Sequence, residues 1–193
     1  MKLEARILEG RFVRLEPLEP RHYEALKRAC DADPEIWPLY PFRMDGEHFA
    51  AWAGGVAKRA ARGETMPFAV LKGGEVVGTS SYSTVDPPNK RVEIGNTYYH
   101  PNARGGVVNP EAKLLLINHA FASGVHCLQF RVDAANARSR AAVTKLGAKQ
   151  DGILRADRIV WTGRIRDTVV FSILDEEWPA LRARLVARLQ AFG

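Results

Sequence analysis

The run His100-Pro101-Asn102-Ala103-Arg104-Gly105-Gly106-Val107-Val108-Asn109 gathers residue types that can hold an anion. Arg104 brings a guanidinium, whose planar fork of donors suits oxyanions. Gly105 and Gly106 permit close backbone approach and dihedrals that other residues avoid. The segment links a strand end to the strongest helix signal in the chain, so its amides stand at the positive end of a helix dipole. Phosphate is the ligand such a bend would suit, although a plain Gly-Gly turn explains the same residues. The Gly-Lys-Ser/Thr of a Walker loop is absent, as are the three spaced glycines of a dinucleotide fingerprint. His22, His48, His100, His119 and His126 are scattered without metal spacing, and each reads as a surface residue. Cys30 and Cys127 lie far apart and form no metal-type cluster, so no metal is expected.

The elements that would carry this bend follow from periodicity and punctuation. Phe12-Val13-Arg14-Leu15-Glu16 alternates like a strand and closes at Pro17. Pro20 to Cys30 and Asp45 to Arg62 are helical in pattern, with Phe49, Trp52 and Val56 at spacings of three and four. The Pro-rich, aromatic stretch 34–42 between them reads as a loop whose bulky side chains cover something. Two β-rich runs, 68–71 and 76–82, flank Gly73-Gly74 as in a hairpin, and a third run from Arg91 to His100 extends it to a meander. Asn109 as cap, Pro110 at the first helical position, Glu111 in the first turn and Gly124 past the end mark the central helix. A strand at 128–133 follows, then a shorter helix capped by Asn136 and ending at Gly147. Two late strands, 153–155 and 168–174, precede a helix capped by Asp175 with Leu181, Leu185 and Leu189 on one face and Arg182, Arg184 and Arg188 on a solvated one. This order is an α+β fold, with one strand–helix–strand crossover that makes its two strands parallel neighbours.

Composition sets the outer bounds. With 193 residues, 46% hydrophobic and 26% charged, the chain reads as one globular domain spanning 1–193 and not as a disordered one. No stretch nears the roughly 20 apolar residues of a membrane span. The charged first twenty residues do not resemble a signal peptide, and the cysteine usage suits a reducing compartment, so a cytoplasmic location is expected. The net charge of +6 fits a polyanionic ligand without choosing between nucleic acid and a phosphorylated cofactor.

Order and residues together resemble the GCN5-related N-acetyltransferase (GNAT) family, in its RimJ/RimL-like, ribosomal-protein-alanine acetyltransferase branch. The resemblance rests on Gly10-Arg11-Phe12-Val13-Arg14-Leu15-Glu16-Pro17, Val92-Glu93-Ile94-Gly95, Arg104-Gly105-Gly106 with Asn109, and Asn136 with Ser139. Lys145-Leu146-Gly147-Ala148 and Gly163-Arg164-Ile165-Arg166-Asp167-Thr168 complete it, so that it spans about residues 8 to 190. It implies a mixed, mostly antiparallel twisted sheet splayed between two parallel strands, with helices on both faces. It also implies acetyl-coenzyme A as co-substrate and an amine acceptor, most simply a protein N-terminus; relatives are often homodimers.

By that resemblance the diphosphate cradle is Arg104, Gly105, Gly106, Val107, Val108 and Asn109. The strand end with Thr97 and Tyr99 faces the acetyl and pantetheine amides, and Asn136 and Ser139 lie near the arm and its sulfur. Glu93 is the candidate base, on the strand whose end meets the acetyl group, and Ser139 the candidate acid for the departing thiolate. Val107 stands where the family usually repeats a glycine, Val143 where many relatives carry a tyrosine, and Arg158 where some place a glutamate. Trp37, Tyr40 and Phe42 either roof the acceptor site or close a core. Three other functions remain open on the sequence: an acyl-coenzyme A binder without transfer, an acetyltransferase for small amines, and a nucleic-acid binder. The last is disfavoured by the lack of a recognition helix or an aromatic–basic stripe.

Overall fold

The computed structural model describes residues 1–192. Its eight strands are β1 (Leu8–Glu9), β2 (Arg14–Pro17), β3 (Met66–Lys72), β4 (Glu75–Asp86), β5 (Arg91–Tyr99), β6 (Cys127–Asp133), β7 (Lys149–Ile159) and β8 (Ile165–Leu174). They form a sheet in the order β1-β2-β3-β4-β5-β6-β8-β7. All neighbours are antiparallel except β5 and β6, which run parallel. The helices are α1 (Pro20–Asp31), α2 (His48–Ala61), α3 (Val108–Ala122), α4 (Ala137–Leu146) and α5 (Trp178–Gln190). The expected α+β order and the central crossover, β5–α3–β6, are both present. Among the described residues no helix is long and apolar enough to cross a membrane.

Two cores lie on opposite faces of the sheet. On one, Leu15, Phe68, Val70, Tyr82, Val92 and Ile94 pack with Leu116 and Ile117 of α3 and Leu181 and Leu185 of α5. On the other, Leu26 and Cys30 of α1, Phe49 and Ala53 of α2, Trp37 and Tyr98 form a smaller cluster. The stretch 34–42 is therefore not simply a loop. Pro34–Leu39 is a 3-10 turn, and Trp37 is a fully buried core residue stacked on Tyr98 at 5.0 Å.

Several ends differ from their sequence signals. α3 begins at Val108 with Val107 as its cap residue, so Asn109 and Pro110 lie inside the first turn and do not cap and open it. Pro110 is tolerated because the first amides of a helix have no intrahelical acceptor. Asp175 is likewise not the cap of α5; Glu177 is, and its Oε2 accepts the Leu174 amide at 2.9 Å. Asn136 and Gly147 do bound α4, the first accepting the Ser139 amide at 2.9 Å and the second at φ +91°. His22 and His119 are buried, against the surface reading. His119 packs under Tyr82, and burial pushes its imidazole down to about 4, so it is neutral.

The N-terminal Gly-Arg-Phe-Val signature has a specific partner. Glu111 of α3 is buried, and its carboxylate accepts the amides of Arg11 at 2.9 Å, Phe12 at 2.7 Å and Val13 at 2.7 Å. Those amides thus leave the ladder, which is why β2 starts at Arg14 and not at Phe12. A Cβ on Gly10 would stand 2.6 Å from the Glu111 carboxyl carbon, so only glycine fits there.

Gly78 of β4 is equally constrained: a Cβ would meet the Tyr98 carbonyl oxygen at 2.1 Å, on the strand that shapes the site described below. Gly78→Ala is expected to lose about 1–3 kcal/mol of stability, read as a lower denaturant midpoint at unchanged slope.

Candidate functional site

The parallel pair is short. β5 and β6 face each other only at Arg91 with Cys127, Val92 with Leu128 and Glu93 with Gln129. Beyond Glu93 each strand follows its other neighbour: β6 stays paired to β8 through Asp133, and β5 to β4 through Tyr99. The sheet therefore forks, leaving a cleft of about 310 Å³ lined on one side by Gly95 to Thr97 and on the other by Phe130 to Asp133.

A bulge shapes the β5 wall of the fork. Gly95 opposes Ser81 and Tyr98 opposes Thr79, so Asn96 and Thr97 together face the single residue Ser80. Asn96 sits at φ +49°, a conformation asparagine tolerates. One extra residue reverses which side chains point to which face. Val92 and Ile94 accordingly join the α3 core, whereas after the bulge Tyr98 points to α1 and Tyr99 to the α3 side. The Tyr98 hydroxyl donates to the Ala29 carbonyl of α1 at 2.7 Å.

Lys113 of α3 reaches this bulge from below. It is buried, and its Nζ donates to Thr97 Oγ1 at 2.7 Å and to Ser80 Oγ at 2.9 Å while lining the cleft. Burial, with no carboxylate bonded to it, pushes its amine down to about 7. Sequence reasoning passed over Lys113 as a helix lysine. The signal was there: with Leu116, Ile117 and Ala120 it occupies the i, i+3, i+4, i+7 stripe of an inward face.

At the wide end of the fork lies the bend. Gly105, at φ +79°, is exposed, and a Cβ at Gly105 or Gly106 would meet no atom within 4 Å. Among the described residues none accepts the amides of residues 105 to 109. Unpaired amides beside open glycines at a helix N-terminus can receive a diphosphate. Arg104 takes a different part from the expected one. Its Nε donates to the Tyr99 carbonyl at 2.7 Å and its Nη1 to Asp33 at 2.5 Å, so most of the guanidinium ties the bend to the end of α1. Only Nη2 is left, buried and unpartnered. Arg104, Gly105 and Asn109 line the cleft; Gly106, Val107 and Val108 do not, and the Val108 side chain is in the core. The bend thus offers backbone amides more than side chains.

The opposite wall carries Asn136, Ser139 and Val143 of the α4 region. Asn136 is spent partly as the cap, while the Ser139 hydroxyl has no partner among the described residues. Glu93 lines the cleft at the crotch of the fork, with Thr84 Oγ1 3.4 Å from its Oε2. Asp133, the other carboxylate of the wall, is engaged. Burial would raise its carboxyl, but the bond from Arg164 and the Ala135 amide hold it below the usual range. Tyr40 and Phe42 roof the cleft, whereas Trp37 does not line it. The Tyr40 hydroxyl donates to the Thr97 carbonyl at 2.8 Å, and burial pushes it up to about 12. Thr97 and Tyr99 line the β5 wall, and the buried Tyr99 hydroxyl has no partner. The fork thus gathers Glu93, Thr97, Tyr99, Arg104, Gly105, Asn109, Asn136 and Ser139 around one space. Among the described residues no group of three His, Cys, Asp or Glu is placed to hold a metal ion.

A family model described as an acetyltransferase (GNAT) domain matches residues 13–149. The chain is 32% identical to a solved GCN5-related N-acetyltransferase from Brucella melitensis, over 98% of this chain and 87% of that one, with a TM-score of 0.89. It is 25% identical to Mycobacterium smegmatis RimJ, solved in complex with CoA-disulfide, over 95% and 92% of the two chains, with a TM-score of 0.78. It is also 30% identical over 105 residues to the uncharacterized N-acetyltransferase p20 of Bacillus licheniformis, a match that spans 54% of this chain and 58% of that protein.

Proposed function

The chain belongs to the GNAT acetyltransferase family, and from that premise we propose that it acetylates a primary amine, the α-amine of a peptide or protein N-terminus, at the fork between β5 and β6. Acetyl-coenzyme A would supply the activated acetyl thioester. The observation that carries the reading is the pairing of an open, unsatisfied bend at residues 105–109 with a cleft that leads from it to Glu93. The bend amides would hold the diphosphate, the walls of the fork would hold the pantetheine arm, and Thr97 and Tyr99 would flank the acetyl end. Glu93 takes the proton that the attacking amine loses. Ser139, whose hydroxyl is uncommitted, would relay a solvent proton to the sulfur as the C–S bond breaks and the C–N bond forms.

Most of the rate then comes from holding amine and thioester together, about 7–11 kcal/mol, and about 10²–10⁴-fold comes from the base. The amine class follows from proton affinity. At neutral pH roughly a tenth of an α-amine is free base, against less than about a thousandth of a lysine side chain. A site with one modest carboxylate favours the weaker base. RimJ of Mycobacterium smegmatis, solved with CoA-disulfide, supports the cofactor assignment.

Thiol release should therefore be seen with a peptide bearing a free α-amine and not with its N-terminally blocked twin; equal release from both overturns the reading. Glu93→Gln is expected to lower kcat by about 10²-fold or more while leaving acetyl-coenzyme A affinity unchanged, as seen by stopped-turnover kinetics and calorimetry.

A further inference from the structure

A second cavity, of about 420 Å³, lies beside the cleft and shares Asn96 and Phe42 with it. Its other walls include Arg43, His48, Trp52, Arg59 and Trp161, and no carboxylate among the described residues. We propose that this cavity seats the residues next to the reacting amine and selects acceptors that carry a carboxylate there, that is, acidic N-terminal peptide segments. The inference rests on the acetyl-transfer reading above and adds a substrate class to it.

Two guanidinium nitrogens are left over in these walls. Arg43 gives Nε and Nη2 to Asp45, at 3.0 and 2.6 Å, and its guanidinium lies 5.2 Å from the Trp161 ring centre. Arg59 gives Nη2 to the Ser83 carbonyl at 2.8 Å and Nε to Glu64 at 3.4 Å, while Arg62 makes two shorter bonds to the same carboxylate. Each arginine is therefore held through its other nitrogens with Nη1 uncommitted, and Glu64 is shared between two guanidiniums. Trp52 Nε1 is buried with no partner at all. A buried N–H without an acceptor is unfavourable, and this one has no exposed surface for a ligand oxygen to reach without a shift of the indole. The Trp161 indole is itself fixed, donating to the Trp37 carbonyl at 3.1 Å, and stays 45% exposed as a wall on which a chain can lie.

The backbone of α2 tells the same story. Gly54 and Gly55 sit in the middle of that helix, where glycine is unfavourable relative to alanine. Nothing packs against either: a Cβ at Gly55 would meet no atom within 4 Å, yet Gly55 lines the cavity. Internal packing gives no reason for a glycine there, whereas clearance for a bound chain does. A polyamine or aminoglycoside, by contrast, would meet guanidiniums where it needs carboxylates.

The test uses two peptides with the same first residue, one with Asp-Glu and one with Lys-Asn at the next positions. Binding is measured by calorimetry and turnover by thiol release. The acidic peptide is expected to bind at least about tenfold tighter, with Arg59→Gln removing most of that difference. Gly55→Ala is expected to raise Tm by about 2–4 °C and to weaken binding of the acidic peptide. This second variant keeps the test open if Arg59→Gln folds poorly. Equal binding of the two peptides, or a Gly55→Ala enzyme with unchanged acceptor affinity, overturns the subsite even if thiol release proceeds. Selective binding with no thiol release from either peptide supports the subsite and overturns the transfer reading instead.

Discussion

Glu111→Ala is expected to destabilise the protein by about 3–5 kcal/mol, without any contact to the cleft being removed. One carboxylate satisfies three consecutive backbone amides, those of Arg11, Phe12 and Val13, from a buried position on α3. Truncation leaves those donors facing a void, and Val13 is itself buried, so water cannot fully replace the lost acceptor. The segment also covers the first core through Leu8, Val13 and Leu15, so the loss spreads to packing. Glu111→Gln keeps one acceptor oxygen but turns a donor toward the amides, and should recover only part of the stability. Urea denaturation checks both variants: a Glu111→Ala midpoint within error of the parent would show that the amides find other partners.

Lys113→Met is expected to act in the opposite direction. The native amine sits at about 7 against an ordinary 10.5, because burial disfavours its charge. In the unfolded chain the lysine holds its proton up to 10.5, so between pH 7 and 10.5 the unfolded state binds more protons and stability rises with pH. Below about pH 7 both states are protonated and the whole penalty, about 5 kcal/mol at 1.36 kcal/mol per pKa unit, is present. Methionine removes that penalty and forfeits two hydrogen bonds, but Ser80 Oγ and Thr97 Oγ1 are already 2.8 Å apart and can satisfy each other. A net gain of about 2–4 kcal/mol follows at pH 6–7, or at least about 5 °C in Tm for a chain of this size. The gain should shrink steadily toward pH 10. A pH-independent gain, or a loss, would contradict a depressed amine at this position.

These two residues mark where sequence reading stops. Elements defined by their own neighbours were legible: α4 from Asn136 and Gly147, the hairpin from Gly73-Gly74, α5 from its leucines. The crossover was legible from element order, and with it the parallel pair. Glu111 was visible only as an acid in a first helical turn, because the amides it serves lie 98 to 100 residues away. The same distance problem hid Arg104, whose guanidinium was read as a ligand for phosphate. Its partner Asp33 is 71 residues earlier, and the ion pair turns it toward α1. The bulge at Asn96 and Thr97 left no periodic trace, since a one-residue slip within nine residues looks like ordinary alternation. Yet that slip sets the face of Tyr98 and Tyr99 and brings Thr97 onto Lys113.

Asn109 illustrates a different limit. Asn-Pro-Glu is a strong local start signal, with Asn109 as cap and Pro110 first in the helix, but α3 begins two residues earlier, at Val108, whose side chain has core partners available. Tertiary packing overrode the cap preference by two residues, and the bend amides remained free all the same.

The central claim is transfer of acetyl to an α-amine at the fork. Tandem mass spectrometry of a peptide that carries both a free N-terminus and one internal lysine, after incubation with the protein and acetyl-coenzyme A, locates the added 42 Da group directly (about one acetyl in place of one hydrogen). The account predicts that it sits on the N-terminal nitrogen and accumulates about 10²-fold or more slowly when Glu93 is glutamine. Acetyl found on the lysine alone, or equally on both nitrogens, would contradict it.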